Sequence, residues 1–472
     1  MSKRAIPTWA VLAVCCIAQF MVVLDVSIVN VALPKMRADL DLSATGQQWI
    51  INAYTLTFAG FLLLGGRAAD LFGRRRVFLL GLALFTVCSL VGGLARNGGE
   101  LIAARAVQGV GAALLAPATL SLLTTTFTEP AARRRALGAW SATAASGATA
   151  GVLAGGILTD LLDWRWVLFV NVPIGAALIA AASMSLVESR AGTRPSPDLA
   201  GAVTVTGGLA LLVYGIVSTD TRPCGSPATI LTLLGGAALL AAFVVIESRR
   251  AHPLVPLAVF RRRQVAAANG IAVMIGAALF SMFFFLSLYL QQVNGYSPLK
   301  AGFAFLPAAL ATLTGALSAP RLVALVGVRR QLIIGPLLAA AGLAWLSQLS
   351  AGDSYAGHVF GALVLAGLGV GLSFVPMTIA ATADVPVHQA GLASGLINTT
   401  RQLGGAVGLA AMATVAAGAS SPTAGYDRAF WISAGAMVIV AVLARALPGR
   451  PKPERHVANG EEIAEAGVLV EA

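Results

Sequence analysis

Long apolar segments repeat along almost the whole chain, separated by short breaks that are charged or rich in Gly and Pro. About 20 apolar residues suffice for one helix to cross the roughly 30 Å hydrocarbon core of a bilayer. Within lipid, only helices and closed barrels satisfy all their backbone hydrogen bonds. Charged residues make up 11% of the 472 residues, whereas they are about 25% of a soluble domain. The sequence therefore predicts an all-α polytopic membrane protein.

Fourteen apolar segments are long enough to span a membrane. Their approximate ranges are 8–33, 47–66, 77–95, 101–123, 137–159, 166–187, 199–218, 227–246, 265–292, 301–323, 331–349, 356–382, 389–416 and 429–447. The tail that follows them is rich in Pro, Glu and Arg, and we predict that it is disordered.

Basic residues are distributed unequally between the two sides of the predicted membrane domain. With the N-terminus placed in the cytoplasm, 23 of the 32 Lys and Arg residues fall on the inner side and 7 on the outer side, while Arg105 and Arg401 lie within spans. This bias follows the positive-inside rule and predicts that both termini are cytoplasmic. Because the bilayer explains the net charge of +12, we expect lipid and not nucleic acid as the partner of these cations.

One acidic residue, Asp25, lies deep within the first predicted span, after an uncharged stretch over residues 6–24. A charged side chain at such a depth costs about 2.5 to 3.5 kcal/mol on insertion scales. Each of the other acidic residues can be placed in a loop, a tail or a helix end. A static ion pair that fixes helix packing is one interpretation. We favour a functional one, because acids within membrane segments often mark proton or substrate pathways.

Arg105 is a candidate partner for this acid. It lies a turn or more inside the fourth predicted span, and Asp25 lies about nine residues from the outer end of its own span, so the two side chains sit at comparable depth. Burial disfavours the ionised form of a carboxyl group, whereas a nearby cation favours it. Such opposing influences suit a group that must both bind and release a proton.

The loop between the second and third spans reads Gly66-Arg-Ala-Ala-Asp70-Leu-Phe-Gly73-Arg74-Arg75-Arg76. A tight turn at a glycine, followed by cations at the inner interface, is typical of a simple positive-inside anchor. The full pattern of glycines, acid and arginines is more specific than an anchor requires.

This loop and residues 24–34, which read Leu-Asp-Val-Ser-Ile-Val-Asn-Val-Ala-Leu-Pro, resemble the major facilitator superfamily. With fourteen predicted spans, the chain is similar to the fourteen-helix drug:proton antiporter family. The resemblance implies two six-helix halves with two helices inserted between them, and it links Asp25 and Arg105 to proton coupling. It also assigns a conformational gate between the halves to the loop residues Gly66, Asp70, Gly73, Arg74 and Arg75.

The fifth predicted span carries a glycine pattern that resembles the antiporter motif of this family. The four glycines are Gly147, Gly151, Gly155 and Gly156. Val152 occupies the position where the family motif has a proline, so the kink that a proline would impose is not expected. The alternative interpretation is a seam of small residues that lets two helices pack closely.

We predict four segments in the chain. They are an N-terminal six-helix half over 1–187, a linker with two additional spans and an interfacial segment over 188–263, a C-terminal six-helix half over 264–447, and a disordered cytoplasmic tail over 448–472. A weak internal repeat supports the two halves, because Ser43 and Gly73 correspond to Ser297 and Gly327 at a constant offset of 254 residues.

Polar and aromatic residues within the predicted spans are candidates for lining a substrate cavity near the midplane. These candidates are Gln19, Asn30, Gln48, Asn52, Tyr54, Phe284, Tyr289, Gln291, Asn398 and Arg401. A lipid-facing arginine would be too costly, so we expect Arg401 to face a polar cavity or a bundle interface.

The resemblance implies proton-coupled export of drug-like or antibiotic compounds, and we expect these to be amphiphilic and either cationic or neutral. The heavy use of Ala, Gly and Arg, with only four lysines, indicates a bacterial cytoplasmic membrane. We expect a monomer. Alternatives are a dedicated exporter or importer of one metabolite, or a membrane sensor without flux. An enzyme is not expected, because the sequence has no metal-ligand spacing, nucleophile elbow or phosphate-binding loop. We therefore expect no cofactor and no metal, and small molecules and protons as partners.

Overall fold

The structure is a computed structural model that describes residues 7–189, 198–218, 226–250, 253, 255, 257–382 and 390–447. The predicted disordered tail lies outside these residues. The described chain forms fifteen α-helices. They are α1 (Thr8–Asp39), α2 (Ala44–Phe72), α3 (Arg74–Gly93), α4 (Gly98–Thr126), α5 (Pro130–Leu161), α6 (Trp166–Phe169), α7 (Asn171–Ser185), α8 (Leu199–Val217), α9 (Pro227–Arg249), α10 (Arg263–Leu288), α11 (Pro298–Val326), α12 (Val328–Leu346), α13 (Phe360–Thr382), α14 (Ala390–Ala417) and α15 (Pro422–Leu443).

Eleven helical segments of the described chain are long and apolar enough to cross a membrane, with α6 and α7 counted together as Trp166–Ser185. The prediction of an all-α polytopic membrane protein is confirmed at this level. The remaining long helices, α5, α12 and α14, are not among the eleven. In α5 the many Gly, Ser and Thr residues dilute the apolar character of the helix. The count of fourteen spans therefore stays a prediction.

The internal repeat is visible in the local geometry of α2 and α11. Both helices contain 29 residues. Each begins after a serine, Ser43 or Ser297, whose side chain accepts a hydrogen bond from the backbone N–H three residues later. Each ends at a glycine with positive φ, +105° at Gly73 and +85° at Gly327, a conformation that L side chains rarely adopt. Corresponding sequence signals thus start and stop corresponding helices.

Helices from both sides of the repeat meet at the end of the bundle where α1 finishes, which we call the Asp39 end. Ser287 Oγ on α10 donates to the carbonyl oxygen of Asn30 at 3.1 Å, and Gln291 Nε2 donates to that of Val31 at 3.0 Å. We call the opposite end, where α2 turns into α3, the Arg74 end.

A second contact between the two sides joins α2 to α14. Leu56 of α2 forms an apolar cluster with Ala406 and Ala410 of α14. Val213 of α8 belongs to the same cluster, so α8 packs beside both helices. Helix α9 packs mainly on α8 and buries few of its own residues. The α8–α9 pair therefore lies at the edge of the bundle.

Candidate functional site

Asp25 is fully buried in the middle of α1, and its partner is the one expected from their matched depths. Arg105 of α4 is 2% exposed, and its Nη1 atom donates to Asp25 Oδ2 at 2.5 Å. A buried ion pair is stable only when further hydrogen bonds satisfy the carboxylate oxygens and the N–H groups that do not bond to each other.

Two amide side chains supply those hydrogen bonds. Gln108, one turn after Arg105 on α4, donates from Nε2 to Asp25 Oδ1 at 2.9 Å and accepts from Arg105 Nη1 through Oε1 at 2.7 Å. Asn171, at the start of α7, donates from Nδ2 to the same Asp25 Oδ1 at 2.9 Å. Three donors therefore surround the carboxylate, from Arg105, Gln108 and Asn171.

Residues on α2 and α3 contact Arg105 and Asn171, the partners of Asp25. The guanidinium of Arg105 lies 4.2 Å from the centre of the Tyr54 ring, a cation–π contact, and its Nε atom donates to the carbonyl oxygen of Ile50 at 3.4 Å. Ser89 Oγ accepts from Asn171 Nδ2 at 3.0 Å and donates to the Leu168 carbonyl oxygen at 2.8 Å. Residues of five helices thus form one connected group around a single carboxylate, with α4 and α7 in direct contact with it.

The amides around Asp25 are functional candidates that the search for charged residues missed. Gln108 could have been found by helix geometry, because a residue three positions after Arg105 lies on the same helix face. Asn171 is 146 residues away from Asp25, so only the fold brings it there. Among the described residues, no group of three or more His, Cys, Asp or Glu side chains is placed to hold a metal ion.

The predicted gate residues form an ordered turn at the Arg74 end. Arg74 Nη2 lies 3.2 Å from Asp70 Oδ1, one helical turn earlier. Arg75 Nη2 donates to the Ser183 carbonyl oxygen of α7 at 2.8 Å. A Cβ atom built at Gly66 would lie 3.7 Å from the Pro117 side chain of α4, an ordinary contact.

Glu188 completes this turn and was not singled out from the sequence. Its carboxylate accepts backbone N–H groups of Arg75 at 3.2 Å and Arg76 at 3.3 Å, at the N-terminus of α3. An acid is favourable there because the helix dipole and the free N–H groups attract negative charge. The turn is therefore held to the end of α7. Its role as a gate stays a prediction.

The glycines of α5 form a close packing seam. A Cβ atom built at Gly147, Gly151 or Gly155 would lie 2.7–2.9 Å from a backbone carbonyl oxygen of α1. A Cβ atom at Gly156 would lie 2.7 Å from the Pro298 carbonyl oxygen of α11. Helix α5 thus packs against both α1, which carries Asp25, and α11, which is the counterpart of α2 in the internal repeat. The packing interpretation explains these glycines structurally, and an antiporter role remains a proposal.

Substituting alanine at Gly151 should destabilise the protein, whereas the same change at Gly138 should not. The new Cβ atom at Gly151 would lie 2.7 Å from the Leu24 carbonyl oxygen, but at Gly138, on the same helix, nothing lies within 4 Å. Overpacking costs about 1 to 3 kcal/mol, and alanine in a helix gains up to about 1 kcal/mol over glycine. Thermal unfolding in detergent would measure both variants. Equal melting temperatures would contradict the seam.

The candidate cavity residues divide into two groups, and the first is engaged in contacts at or near the Asp39 end. Asn30 Nδ2 donates to the Val26 carbonyl oxygen of its own helix at 2.8 Å. Tyr289 donates its hydroxyl to the Ser350 carbonyl oxygen at 2.7 Å, and Gln291 bridges to α1 as described above. Phe284 is buried edge-on against Phe285.

The second group keeps polar atoms without a hydrogen-bond partner in the described chain. Both amide atoms of the fully buried Asn52, Oε1 of Gln48 and of Gln19, and the Tyr54 hydroxyl belong to it. Gln48 and Asn52 share a helix face with Leu56, which packs on α14. Their side chains therefore point from α2 toward α14. Asn398 and Arg401 face each other one turn apart on α14, with Arg401 Nη2 donating to Asn398 Oδ1 at 2.8 Å.

Comparison with known proteins agrees with this architecture. The family model of the Major Facilitator Superfamily matches residues 15–409. The cephamycin export protein CmcT of Amycolatopsis lactamdurans is 44% identical over 460 residues, which cover 95% of this chain and 94% of that protein. The puromycin resistance protein pur8 of Streptomyces alboniger is 41% identical over 456 residues, which cover 92% and 90%.

The fold is also shared with solved transporters. The crystal structure of a peptide transporter POT in complex with sulfate superposes with a TM-score of 0.70 at 15% identity, and the match covers 93% of this chain and 96% of that one. This likeness concerns the fold alone. Taken with the family match over residues 15–409 and the relatives above 40% identity, it leads to one assignment: the chain belongs to the Major Facilitator Superfamily.

Proposed function

We propose that this protein exports antibiotic compounds across the bacterial cytoplasmic membrane in exchange for protons. The observation that carries the proposal is the buried pair of Asp25 and Arg105, held by Gln108 and Asn171. Burying two charges costs several kcal/mol per ion before their attraction offsets it. A packing contact can be made as well by apolar residues of similar volume, whereas a proton-binding site needs an acid.

The pair offers two states for a transport cycle. When Asp25 is ionised, its carboxylate ties α1 to α4 and α7 through Arg105, Gln108 and Asn171. Protonation removes the negative charge, weakens the link to Arg105 and loosens α1 against its neighbours. Because α1 also touches α10 at the Asp39 end, a shift of α1 reaches the contact between the halves. We propose that proton binding thereby favours one arrangement of the halves over the other.

The proposal includes the finer points expected from the sequence. We propose fourteen spans with two six-helix halves and the α8–α9 pair inserted between them, a cytoplasmic Arg74 end, and a monomer. The peripheral packing of α8 and α9 supports the inserted pair. The turn around Gly73 lies at the end that the positive-inside rule places in the cytoplasm, and its contacts with α7 support a gate.

A dedicated exporter is the second candidate. The two relatives above 40% identity are each named for one antibiotic, cephamycin or puromycin. At 34% identity, one relative is named for lincomycin and another is named a multidrug resistance protein. If this chain is a dedicated exporter, we expect it to transport one compound well among many that are tested.

Uptake into everted membrane vesicles tests both candidates. Their lumen, which corresponds to the cell exterior, is made acidic, and a panel of antibiotics is added outside. We expect at least one compound to accumulate in the lumen against its gradient, and accumulation to stop when a protonophore collapses the pH difference. Several unrelated substrates would indicate a broad exporter, and one would indicate a dedicated one. A sensor would move none, and this result would overturn the proposal.

A further inference from the structure

Arg401 of α14 is a deeply placed cation without an acidic partner in the described chain. It lies eleven residues into its helix, about 16 Å along the helix axis at 1.5 Å per residue. Among the described residues of α10 to α15, it is the one charged side chain more than two turns from either end of its helix. None of the ion pairs found in the described chain includes it.

The surroundings of Arg401 satisfy only part of its hydrogen-bonding capacity. A guanidinium has five N–H donors, and the described chain provides one acceptor, Asn398 Oδ1 at 2.8 Å. On the other side, the ring of Phe374 on α13 lies 5.8 Å from the guanidinium carbon. Arg401, Asn398 and Phe374 all keep partial exposure although they lie well inside the bundle. Each of the three side chains is therefore accessible to a bound molecule.

None of the ion pairs in the described chain compensates this cation. In the N-terminal half, by contrast, the deep charges Asp25 and Arg105 pair with each other. Arg401 has no such counter-charge among the described residues. Buried charges are normally paired, because an unpaired charge loses its hydration and gains no attraction to an opposite charge that would offset the loss. An arginine fork is also the side chain best suited to hold a carboxylate with two parallel hydrogen bonds.

We propose that Arg401 is the recognition residue for an anionic substrate and that the exported compounds carry a carboxylate. The carboxylate accepts from the free guanidinium N–H groups and from Asn398 Nδ2, while the apolar part of the compound packs on Phe374. This inference rests on the proposed export function and replaces the cationic or neutral substrate expected from the sequence. Since the anion site lies on α14 and the proton site on α1, the two ligands occupy different halves of the protein.

Equilibrium binding of three matched fluorescent probes to the purified full-length protein in detergent tests the proposal. The probes share a dansyl group: dansylglycine carries a carboxylate, its amide is neutral, and dansylcadaverine carries an amine. We expect dansylglycine to bind at least about tenfold more tightly than its amide, from charge-assisted hydrogen bonds. Dansylcadaverine should bind most weakly. Equal affinities, a preference for the amine, or no binding of dansylglycine would overturn the proposal.

Two variants remove the preference by different routes. Arg401→Gln deletes the cation, and Asn398→Asp keeps it but places a carboxylate against it, so each should bring dansylglycine to within about twofold of its amide. Lys300→Gln, which removes an exposed cation of α11 near the Asp39 end, should leave the preference intact. If Arg401→Gln does not fold, Asn398→Asp decides alone. A preference that survives both changes would contradict the role of Arg401.

This measurement separates the anion site from the export proposal, because binding needs no flux and no pH gradient. Carboxylate-selective binding that depends on Arg401, without any proton-driven accumulation in vesicles, would refute export and keep the anion site. Proton-driven accumulation in vesicles, without carboxylate-selective binding, would support export and refute the anion site.

Discussion

Replacing Asp25 with asparagine should abolish uphill, pH-driven export while downhill movement of the same compound continues. Asparagine has nearly the same shape but cannot bind or release a proton, so the coupling step is lost and the transport path is not. We expect accumulation in acidic-lumen vesicles to fall at least about tenfold, as intramembrane acids that carry protons would require. Equilibration without a pH gradient, measured on the same vesicles, should change little.

The interpretation needs a stability measurement, because the variant leaves Arg105 buried without a counter-charge. Losing one partner of a buried pair costs about 3 to 5 kcal/mol, so transport must be normalised to the amount of folded protein. Asp25→Glu, which restores an acid, should recover part of the coupling. Asp427→Asn removes a partly buried acid on α15, away from the Asp25 cluster, and serves as the matched control. Uphill accumulation by Asp25→Asn at the control level would refute the proton site.

Charged residues and turn glycines made the core of this site predictable from the sequence. Asp25 and Arg105 each carry an insertion cost that demands a partner, and their depths matched, so the pairing could be inferred before the fold was known. The turn at Gly73 was predicted from the loop pattern, and Gly327 corresponds to it through the repeat. Both glycines have a positive φ, which few other residue types adopt.

Neutral polar residues could not be assigned in this way. An amide such as Asn30 satisfies itself on its own helix, whereas Asn52 finds no partner in the described chain. The sequence contains the same residue type in both cases. Asn171 becomes important only because the break between α6 and α7 brings it to Asp25. Helix α5 is not among the eleven clear spans of the described chain for a related reason, because its small residues pack helices well but contribute little hydropathy.

Replacing Arg105 with glutamine should also eliminate proton-driven export. We expect accumulation in acidic-lumen vesicles to fall at least about tenfold. The guanidinium contacts Asp25, Gln108 and the ring of Tyr54 at once, and a neutral amide can offer Asp25 a hydrogen bond but no charge. The variant therefore removes the charged link by which Asp25 ties α1 to Arg105 of α4. Proton binding at Asp25 can then no longer make or break that link. Vesicle accumulation measured over a range of external pH should stay at background throughout.

Arg105→Lys distinguishes the charge from the shape of this side chain. Lysine retains the positive charge, but as a point charge it cannot reproduce the planar fork or the stacking on Tyr54. We expect partial coupling, between glutamine and wild type. Full activity would mean that charge alone suffices, and the contacts with Gln108 and Tyr54 would then have no part in coupling.

The double variant Asp25→Asn with Arg105→Gln separates packing from proton coupling. Each single change strands a buried group, so each should lower the melting temperature. Together they leave two neutral amides that can hydrogen-bond to each other, so the uncompensated buried charge that makes each single change costly is gone. We therefore expect the double variant to regain much of the lost stability. Its transport should stay uncoupled, because no group remains that can bind the proton. If stability and uphill export returned together, the pair would be a packing element, and the proton would have to travel elsewhere.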